Sequence, residues 1–189
     1  MAKPIDPACS VRRDFVVQAA VAFVGVGSLI SLWPFIDQMN PNPSSLRDTI
    51  DVDLTPIEPG QIKQVQWKGQ PILIHHRTPE EIARAQKVGL SSLIDPFARV
   101  TGLPEDAPAI DANRTKPGHH AWLVVAGLCT YCGCLIRPAE DFTLTGEAFL
   151  CPWCASRFDA LGRVLAGPAP RNLAVPRYEF LAPFKIRLR

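Results

Sequence analysis

The sequence predicts a mainly β soluble head carried on a single N-terminal transmembrane helix. A run without charged residues, 15–36, predicts the helix, and 19 prolines among the 189 residues argue against a helical bundle. Short β-prone runs separated by prolines and glycines are typical of a β-rich domain with long loops. With 20 Lys and Arg against 18 Asp and Glu, the charge is nearly balanced, which excludes a polyanion-binding protein.

The apolar run sets the expected topology. At about 1.5 Å per residue, a helix over 15–36 is roughly 33 Å long, enough to cross a hydrocarbon core of about 30 Å. Three basic residues precede the run, Lys3, Arg12 and Arg13. Because the next basic residue is Arg47, the positive-inside rule places residues 1–14 in the cytoplasm and the head on the other side.

Two alternatives concern the same segment. A cleaved secretory signal has a shorter apolar core and a small-residue cleavage site, whereas Trp33–Ile36 is typical of an interfacial anchor. The Arg12-Arg13 pair is compatible with a twin-arginine signal, which exports domains that have already folded around a cofactor.

Beyond the helix, residues 37–47 are rich in Pro, Asn and Ser and predict a tether to a head over 48–189. Ile62–Trp67 and Pro71–Ile74 predict a hairpin across Lys68–Gln70. Thr78 followed by Pro79 and Glu81 predicts a capped helix that ends near Val88. Residues 89–118 lack a clear period and predict an irregular insertion.

Further strands are expected in the second half of the head. Trp122–Val125 and Phe149–Leu150 each lead into a cysteine loop. Short β-prone runs follow in the tail, 163–165, 178–180 and 184–188. Trp67 and Trp122 are expected in the core, and the alternating Lys185, Arg187 and Arg189 predict a solvated sheet edge.

The two cysteine loops, 129–134 and 151–156, indicate a metal site. Cys129, Cys132, Cys151 and Cys154 form two C-x2-C pairs with eighteen residues between them, a spacing typical of a tetrathiolate metal site. The residue types leave the metal open, because four thiolates suit zinc, a single iron or a 2Fe–2S cluster.

Disulfides are the competing interpretation, since the head is expected in an oxidising compartment. Five clustered cysteines cannot all pair with one another, and Cys9 lies on the other side of the membrane. Alternatively, four cysteines bind metal and Cys134 is a free buried thiol. His75, His76, His119 and His120 are expected in solvated or capping roles, because adjacent strand residues point to opposite faces and cannot readily share one metal.

Taken together, short motifs along almost the whole chain resemble the Rieske iron–sulfur subunit of a bacterial quinol–cytochrome c reductase, the cytochrome bc complex. The motifs are Arg12-Arg13-Asp14-Phe15, Trp33–Pro41, Gly69-Gln70-Pro71-Ile72, His75-His76-Arg77-Thr78, Asn113-Arg114-Thr115 and Gly167-Pro168-Ala169-Pro170 with Asn172-Leu173. The resemblance implies a Rieske-like antiparallel β-sandwich head, a 2Fe–2S cluster and electron transfer from quinol to a cytochrome.

The resemblance also shows where this chain departs from the family. Family members bind the cluster with one cysteine and one histidine from each loop, and two further cysteines form a disulfide across it. Cys129 and Cys151 match the cysteine ligands, but Tyr131 and Cys154 stand at the histidine positions. Other loop positions are changed or kept: Trp153 replaces one disulfide cysteine, Cys132 is an added thiol, Phe158 replaces a tyrosine that donates to a ligand sulfur, and Ser156 is retained.

The four-cysteine pattern is similar instead to the knuckles of rubredoxins and zinc ribbons. The expected function is therefore a Rieske-type electron-transfer subunit with an all-cysteine site, partnered by cytochrome b and cytochrome c-type subunits in the bacterial inner membrane. Since thiolates lower the potential of an iron centre, we expect a poor quinol oxidant. The alternative is a paralogue with a single iron or a structural zinc.

Overall fold

The computed structural model describes residues 7–39, 48–139 and 146–189. The chain divides into two compact units, residues 1–43 and residues 44–189, each of which is described by itself. Most of the predicted tether, residues 40–47, lies outside the described residues.

The first unit is one long helix. Helix α1 spans Pro7–Gln38, and Asp14–Gln38 is apolar and long enough to cross a membrane. Ser28 and Ser31, two of the polar residues inside the apolar run, donate their hydroxyls to the carbonyl oxygens four residues earlier, at 2.8 Å. These bonds leave no hydroxyl proton exposed to lipid, as a membrane-spanning segment requires. The helix extends beyond the predicted 15–36 at both ends.

In the second unit, the ten strands of the described ranges form three antiparallel sheets. The first contains β1 (Ile50–Asp53), β10 (Lys185–Leu188) and β9 (Tyr178–Ala182), in that order. The second contains β2 (Ile62–Trp67), β3 (Gln70–His76) and β4 (Trp122–Ala126). The third contains β5 (Arg137–Pro138), β6 (Glu147–Leu150), β7 (Arg157–Asp159) and β8 (Val164–Ala166). The mainly β prediction for the head is therefore confirmed.

Local sequence signals produce the hairpin and the capped helix as predicted. Lys68 and Gly69 both have positive φ, 49° and 74°, so the β2–β3 turn has two residues and β3 begins at Gln70. Helix α2 spans Pro79–Lys87. Thr78 and Glu81 form the expected capping box, in which the Glu81 carboxylate accepts from the Thr78 N–H at 2.5 Å.

The final strand corrects one prediction. Strand β10 lies in the middle of its sheet, hydrogen-bonded to both β1 and β9, and is not a sheet edge. Lys185 is exposed as expected and Arg187 is half-buried, and both pair with Asp51 on β1, at 3.3 and 2.7 Å. The strand order is a non-local property that the alternation of charges could not reveal.

Residues 89–118 are irregular, with a 3₁₀ turn at Leu90–Ser92 and a short helix α3 at Asp111–Arg114. They are nevertheless part of the core, because the fully buried Arg114 side chain donates to the carbonyl oxygens of Ala98, Leu161 and Leu173. Burial lowers the pKa of Arg114 to about 10. Through these bonds, the Arg114 side chain connects the insertion to residues that come after the second cysteine loop.

Candidate metal centre

Each cysteine loop is a six-residue turn, and the two residues that flank it are paired as in an antiparallel sheet. The first knuckle, residues 129–134, follows β4 and is closed by the bridge between Leu128 and Leu135. The second knuckle, residues 151–156, joins β6 to β7 and is closed by the pair Leu150 and Arg157. In both knuckles one residue of the closing pair directly precedes the first cysteine and the other directly follows the sixth residue. The first and second cysteines of each C-x2-C pair therefore occupy equivalent positions in the two knuckles.

The backbones of the two knuckles also match. Each is held by two hydrogen bonds of 2.8 and 2.9 Å, Cys129 N to Cys134 O and Gly133 N to Cys129 O in the first, and Cys151 N to Ser156 O and Ala155 N to Cys151 O in the second. The fifth residue of each turn has positive φ, 68° at Gly133 and 54° at Ala155. Glycine takes this conformation freely, whereas alanine is strained in it.

The knuckles bring four thiols together. The sulfurs of Cys129, Cys132, Cys151 and Cys154 all lie within 4.8 Å of one another and could hold a metal ion. Each contact of 3.5 Å joins the first cysteine of one knuckle to the second cysteine of the other, Cys129 to Cys154 and Cys151 to Cys132. The structure thus assembles the four residues that the sequence predicts as ligands.

The remaining thiol does not belong to this group. Cys134 is partly exposed, whereas one of the alternatives made it a buried free thiol, and its Sγ lies 3.6 Å from the carbonyl oxygen of Cys132. The five cysteines whose side chains the structure describes are free thiols, and the Sγ pairs at 3.5 Å are far from a bond of about 2 Å. Among these five cysteines, the structure therefore contains none of the disulfides of the competing interpretation.

Ser156 supports one of the sulfurs. Its Oγ accepts the backbone N–H of Ala169 at 3.1 Å and lies 3.1 Å from Cys154 Sγ, so the hydroxyl can donate to the sulfur when Cys154 is a thiolate. Burial raises the pKa of Cys154, but hydrogen bonds from the hydroxyl and backbone N–H of Ser156, together with those from Cys151 and Cys129, outweigh it and lower the pKa to about 6. At Cys129 burial dominates and raises the pKa of the thiol.

A third segment, Gly167–Arg171, packs against both knuckles. Its Ala169 N–H binds Ser156 in the second knuckle, and the carbonyl oxygen of Arg171 accepts the Thr130 hydroxyl of the first at 2.7 Å. A Cβ on Gly167 would lie only 2.5 Å from Ser156 Cα. Cysteine spacing alone does not reveal these supporting residues, although the Gly-Pro-Ala-Pro motif marks the segment.

All four histidines lie away from the sulfurs in contacts of their own. His75 pairs with Glu81 at 3.3 Å, His76 Nδ1 lies 2.8 Å from Ile57 O, His119 stacks on Phe180, and His120 pairs with Asp111 at 2.7 Å. The expectation that they are solvated or capping is wrong for His75, which is buried. Burial raises the pKa of Glu81, but the hydrogen bond and attraction from His75 outweigh it and hold that pKa below its usual range.

Three aromatic residues stand where the family pattern has a histidine ligand, a disulfide cysteine and a tyrosine, and none of them restores the missing contact. Tyr131 and Trp153 project from the knuckles and are 62% and 80% exposed, so neither ring covers the sulfurs. Phe158 is fully buried on β7 and lacks the hydroxyl of a tyrosine. The arrangement defines a β protein with an N-terminal helix long enough to cross a membrane and four converging thiols that could hold a metal ion.

Comparison with known proteins identifies the family. Residues 5–42 match the family model described as Ubiquitinol-cytochrome C reductase Fe-S subunit TAT signal. The ubiquinol-cytochrome c reductase iron-sulfur subunit of Bradyrhizobium diazoefficiens is 42% identical over 94% of this chain and 93% of its own. The subunit of the same name from Blastochloris viridis is 42% identical over 97% and 95%.

A chain of a solved hyperthermophilic respiratory Complex III is 20% identical, with a TM-score of 0.47, over 90% of this chain and 98% of that one. The identity and coverage of the two bacterial relatives settle the assignment. This chain belongs to the family of iron–sulfur subunits of ubiquinol–cytochrome c reductase. The resemblance inferred from the sequence motifs is confirmed.

The Rieske subunits of this family carry a 2Fe–2S cluster, held by two cysteines and two histidines. This chain offers four sulfurs and no imidazole at the corresponding place, because all four of its histidines are described and each makes its contacts elsewhere. The residues present therefore do not fit the family's cluster with its mixed ligands.

Proposed function

We propose that this chain is the electron-transfer subunit of a membrane quinol–cytochrome c reductase complex and that Cys129, Cys132, Cys151 and Cys154 bind its redox metal. The convergence of these four sulfurs on the head of a family whose members are iron–sulfur subunits carries the proposal. In this arrangement 15–36 is the anchor, 37–47 the tether and 48–189 the head.

The partners and the orientation follow from the same family role. Cytochrome b and a cytochrome c-type subunit would accompany the chain in the bacterial inner membrane. The basic residues before helix α1 favour a cytoplasmic N-terminus and a periplasmic head. The twin-arginine pair in the region matched by the signal model supports export of a head that has already folded.

The ligand set bears on the electron donor. Imidazole ligands are neutral and can accept a proton, whereas four thiolates add negative charge and favour the oxidised metal. The Ser156 hydroxyl opposes this effect at one sulfur only. We therefore expect the centre to have a lower potential than a Cys2His2 cluster and to oxidise quinol slowly.

The test uses the full chain, tagged and purified with mild detergent from the membranes of its own organism. Haem b and haem c absorption should co-purify with the tagged chain, and the metal centre should exchange electrons with the bound cytochromes. A tagged chain that elutes without haem, under conditions that keep other membrane complexes intact, would contradict the proposal.

A matched pair of variants tests the ligands. Cys154→Ser should lose the bound metal, because Cys154 is one of the four converging sulfurs, whereas Cys134→Ser should retain it. Metal content per chain is measured in the purified complex. Equal loss in both variants would show that the wrong four thiols have been chosen.

A further inference from the structure

The two knuckles have matching local structures. Both have the same length, the same pair of closing backbone bonds and a positive φ at the fifth residue. The close sulfur contacts cross between them in the same way, from the first cysteine of each to the second cysteine of the other. Such a pair of turns directs two corresponding pairs of sulfurs to one region.

The distances between the sulfurs fit a single ion. With metal–sulfur bonds of about 2.3 Å, two thiolates on one tetrahedral metal lie about 3.8 Å apart. The two close sulfur pairs are at 3.5 Å, and the upper limit for all pairs is 4.8 Å. Shifts of no more than about 1 Å would therefore place all four sulfurs around one ion.

The same distances fit two irons less well. In a 2Fe–2S cluster each iron takes two thiolates, so the other four sulfur pairs join thiolates on different irons. Those four pairs must lie well beyond the distance of about 3.8 Å that separates two thiolates on one metal. All four would have to widen beyond the 4.8 Å within which every sulfur pair lies, whereas one ion requires shifts of no more than about 1 Å.

Ser156 lies beside one of the four proposed ligands. By resemblance, this serine donates to a bridging sulfide in the family, and here its Oγ lies 3.1 Å from the sulfur of Cys154. In the described part of the chain, its other polar contact is the N–H of Ala169, which it accepts. When Cys154 is a thiolate bound to metal, the hydroxyl can therefore donate to this terminal ligand.

We propose that the centre of this chain is a single iron ion bound by Cys129, Cys132, Cys151 and Cys154, without bridging sulfide. The assignment of one ion rests on the sulfur geometry, and the choice of iron over zinc rests on the proposed electron-transfer function. Because all four ligands are thiolates, reduction of the iron involves no proton uptake by a ligand.

The first experiment measures iron, zinc and acid-labile sulfide in the full chain purified from its own membranes. One iron per chain with no labile sulfide is expected. Two irons with two sulfides would overturn the single-ion inference and leave the proposed function standing. One zinc without iron would overturn both the choice of iron and the electron-transfer function.

Reconstitution of the full chain in detergent separates the two kinds of site. Anaerobic Fe(II) alone should load one equivalent and give the visible absorption of an iron–thiolate centre on oxidation. A requirement for added sulfide, with two irons bound, would refute the inference. Titration with Co(II) should likewise end at one equivalent with the spectrum of tetrahedral thiolate ligation, and an endpoint at two would contradict a single site.

Cys132 gives the most specific variant, because its position holds an apolar residue in the family. Cys132→Ser should lower the iron bound in reconstitution at least tenfold, whereas Cys134→Ser should bind one equivalent like the unaltered chain. Far-ultraviolet circular dichroism checks that both variants fold. A folded Cys132→Ser chain that binds iron normally would remove Cys132 from the ligand set and overturn the proposal.

Discussion

Gly167→Ala probes the contact between the third segment and the second knuckle. Gly167 has φ +97°, and an added Cβ would lie 2.5 Å from Ser156 Cα, 2.9 Å from its Oγ and 3.0 Å from its N. Carbon atoms in good contact are about 3.5 to 4.0 Å apart, so segment and knuckle must separate by about 1 Å. Because two of the three nearest atoms are backbone, no side-chain rotation relieves the overlap.

The cost has two parts. Positive φ costs alanine about 1–2 kcal/mol, and overpacking of this kind costs about 1–3 kcal/mol, so the free energy of unfolding should fall by about 2–5 kcal/mol. Displacement of Ser156 also weakens its bond to the Cys154 sulfur. Loss of such a supporting hydrogen bond lowers metal affinity about 10- to 100-fold.

Gly69→Ala is the matched control, since Gly69 has φ +74° and its added Cβ would meet nothing within 4 Å. It should lose only the cost of positive φ. Both variants are unfolded with urea as full chains in detergent, followed by tryptophan fluorescence, and release of metal to a chelator is timed. If Gly167→Ala is no less stable than Gly69→Ala and keeps its metal equally long, the close approach does not position the second knuckle.

Three further predictions concern single side chains. Ser156→Ala removes the hydroxyl donor to Cys154 and should lower metal affinity about 10- to 100-fold in a competition titration; unchanged affinity would contradict the role of that bond. Ala155→Gly relieves the strain of φ +54° and should raise the free energy of unfolding in urea by about 1 kcal/mol; a decrease would count against that strain. Hydrogen bonds from Arg187 chiefly lower the pKa of Asp51 to about 2, so its stabilising effect is present above about pH 4 and is lost as the pH falls towards 2. Asp51→Asn should therefore lower stability at neutral pH and flatten the loss of stability between about pH 4 and 2, and an unchanged acid profile would contradict this assignment.

Features encoded by neighbouring residues could be predicted from the sequence. The apolar run gives helix α1, Thr78 and Glu81 give the capping box of α2, and each C-x2-C pair places two sulfurs in one knuckle. In each case the residues of one segment determine its geometry, so the pattern and the structure agree.

Features that depend on distant segments could not be predicted in this way. The central place of β10 is set by pairing with β1, more than a hundred residues earlier in the chain. The burial of His75 depends on Glu81 and the sheet around it, and the support of the knuckles depends on Gly167. None of these contacts leaves a periodic or spaced signal, because each depends on how separate elements pack and not on a repeat within one element.

The four sulfurs differ in burial, which gives the centre a protein side and a water side. Cys129 and Cys151 are buried, Cys154 is partly exposed, and Cys132 is exposed. In the proposed centre, a chelator or oxidant that approaches from water would meet the sulfur of Cys132 first, while the buried pair would still hold the ion. Release of the ion would then be stepwise, because a detached Cys132 could rebind before the ion leaves. The lifetime of such a centre would depend chiefly on the exposed sulfurs, whereas its equilibrium affinity would depend on all four.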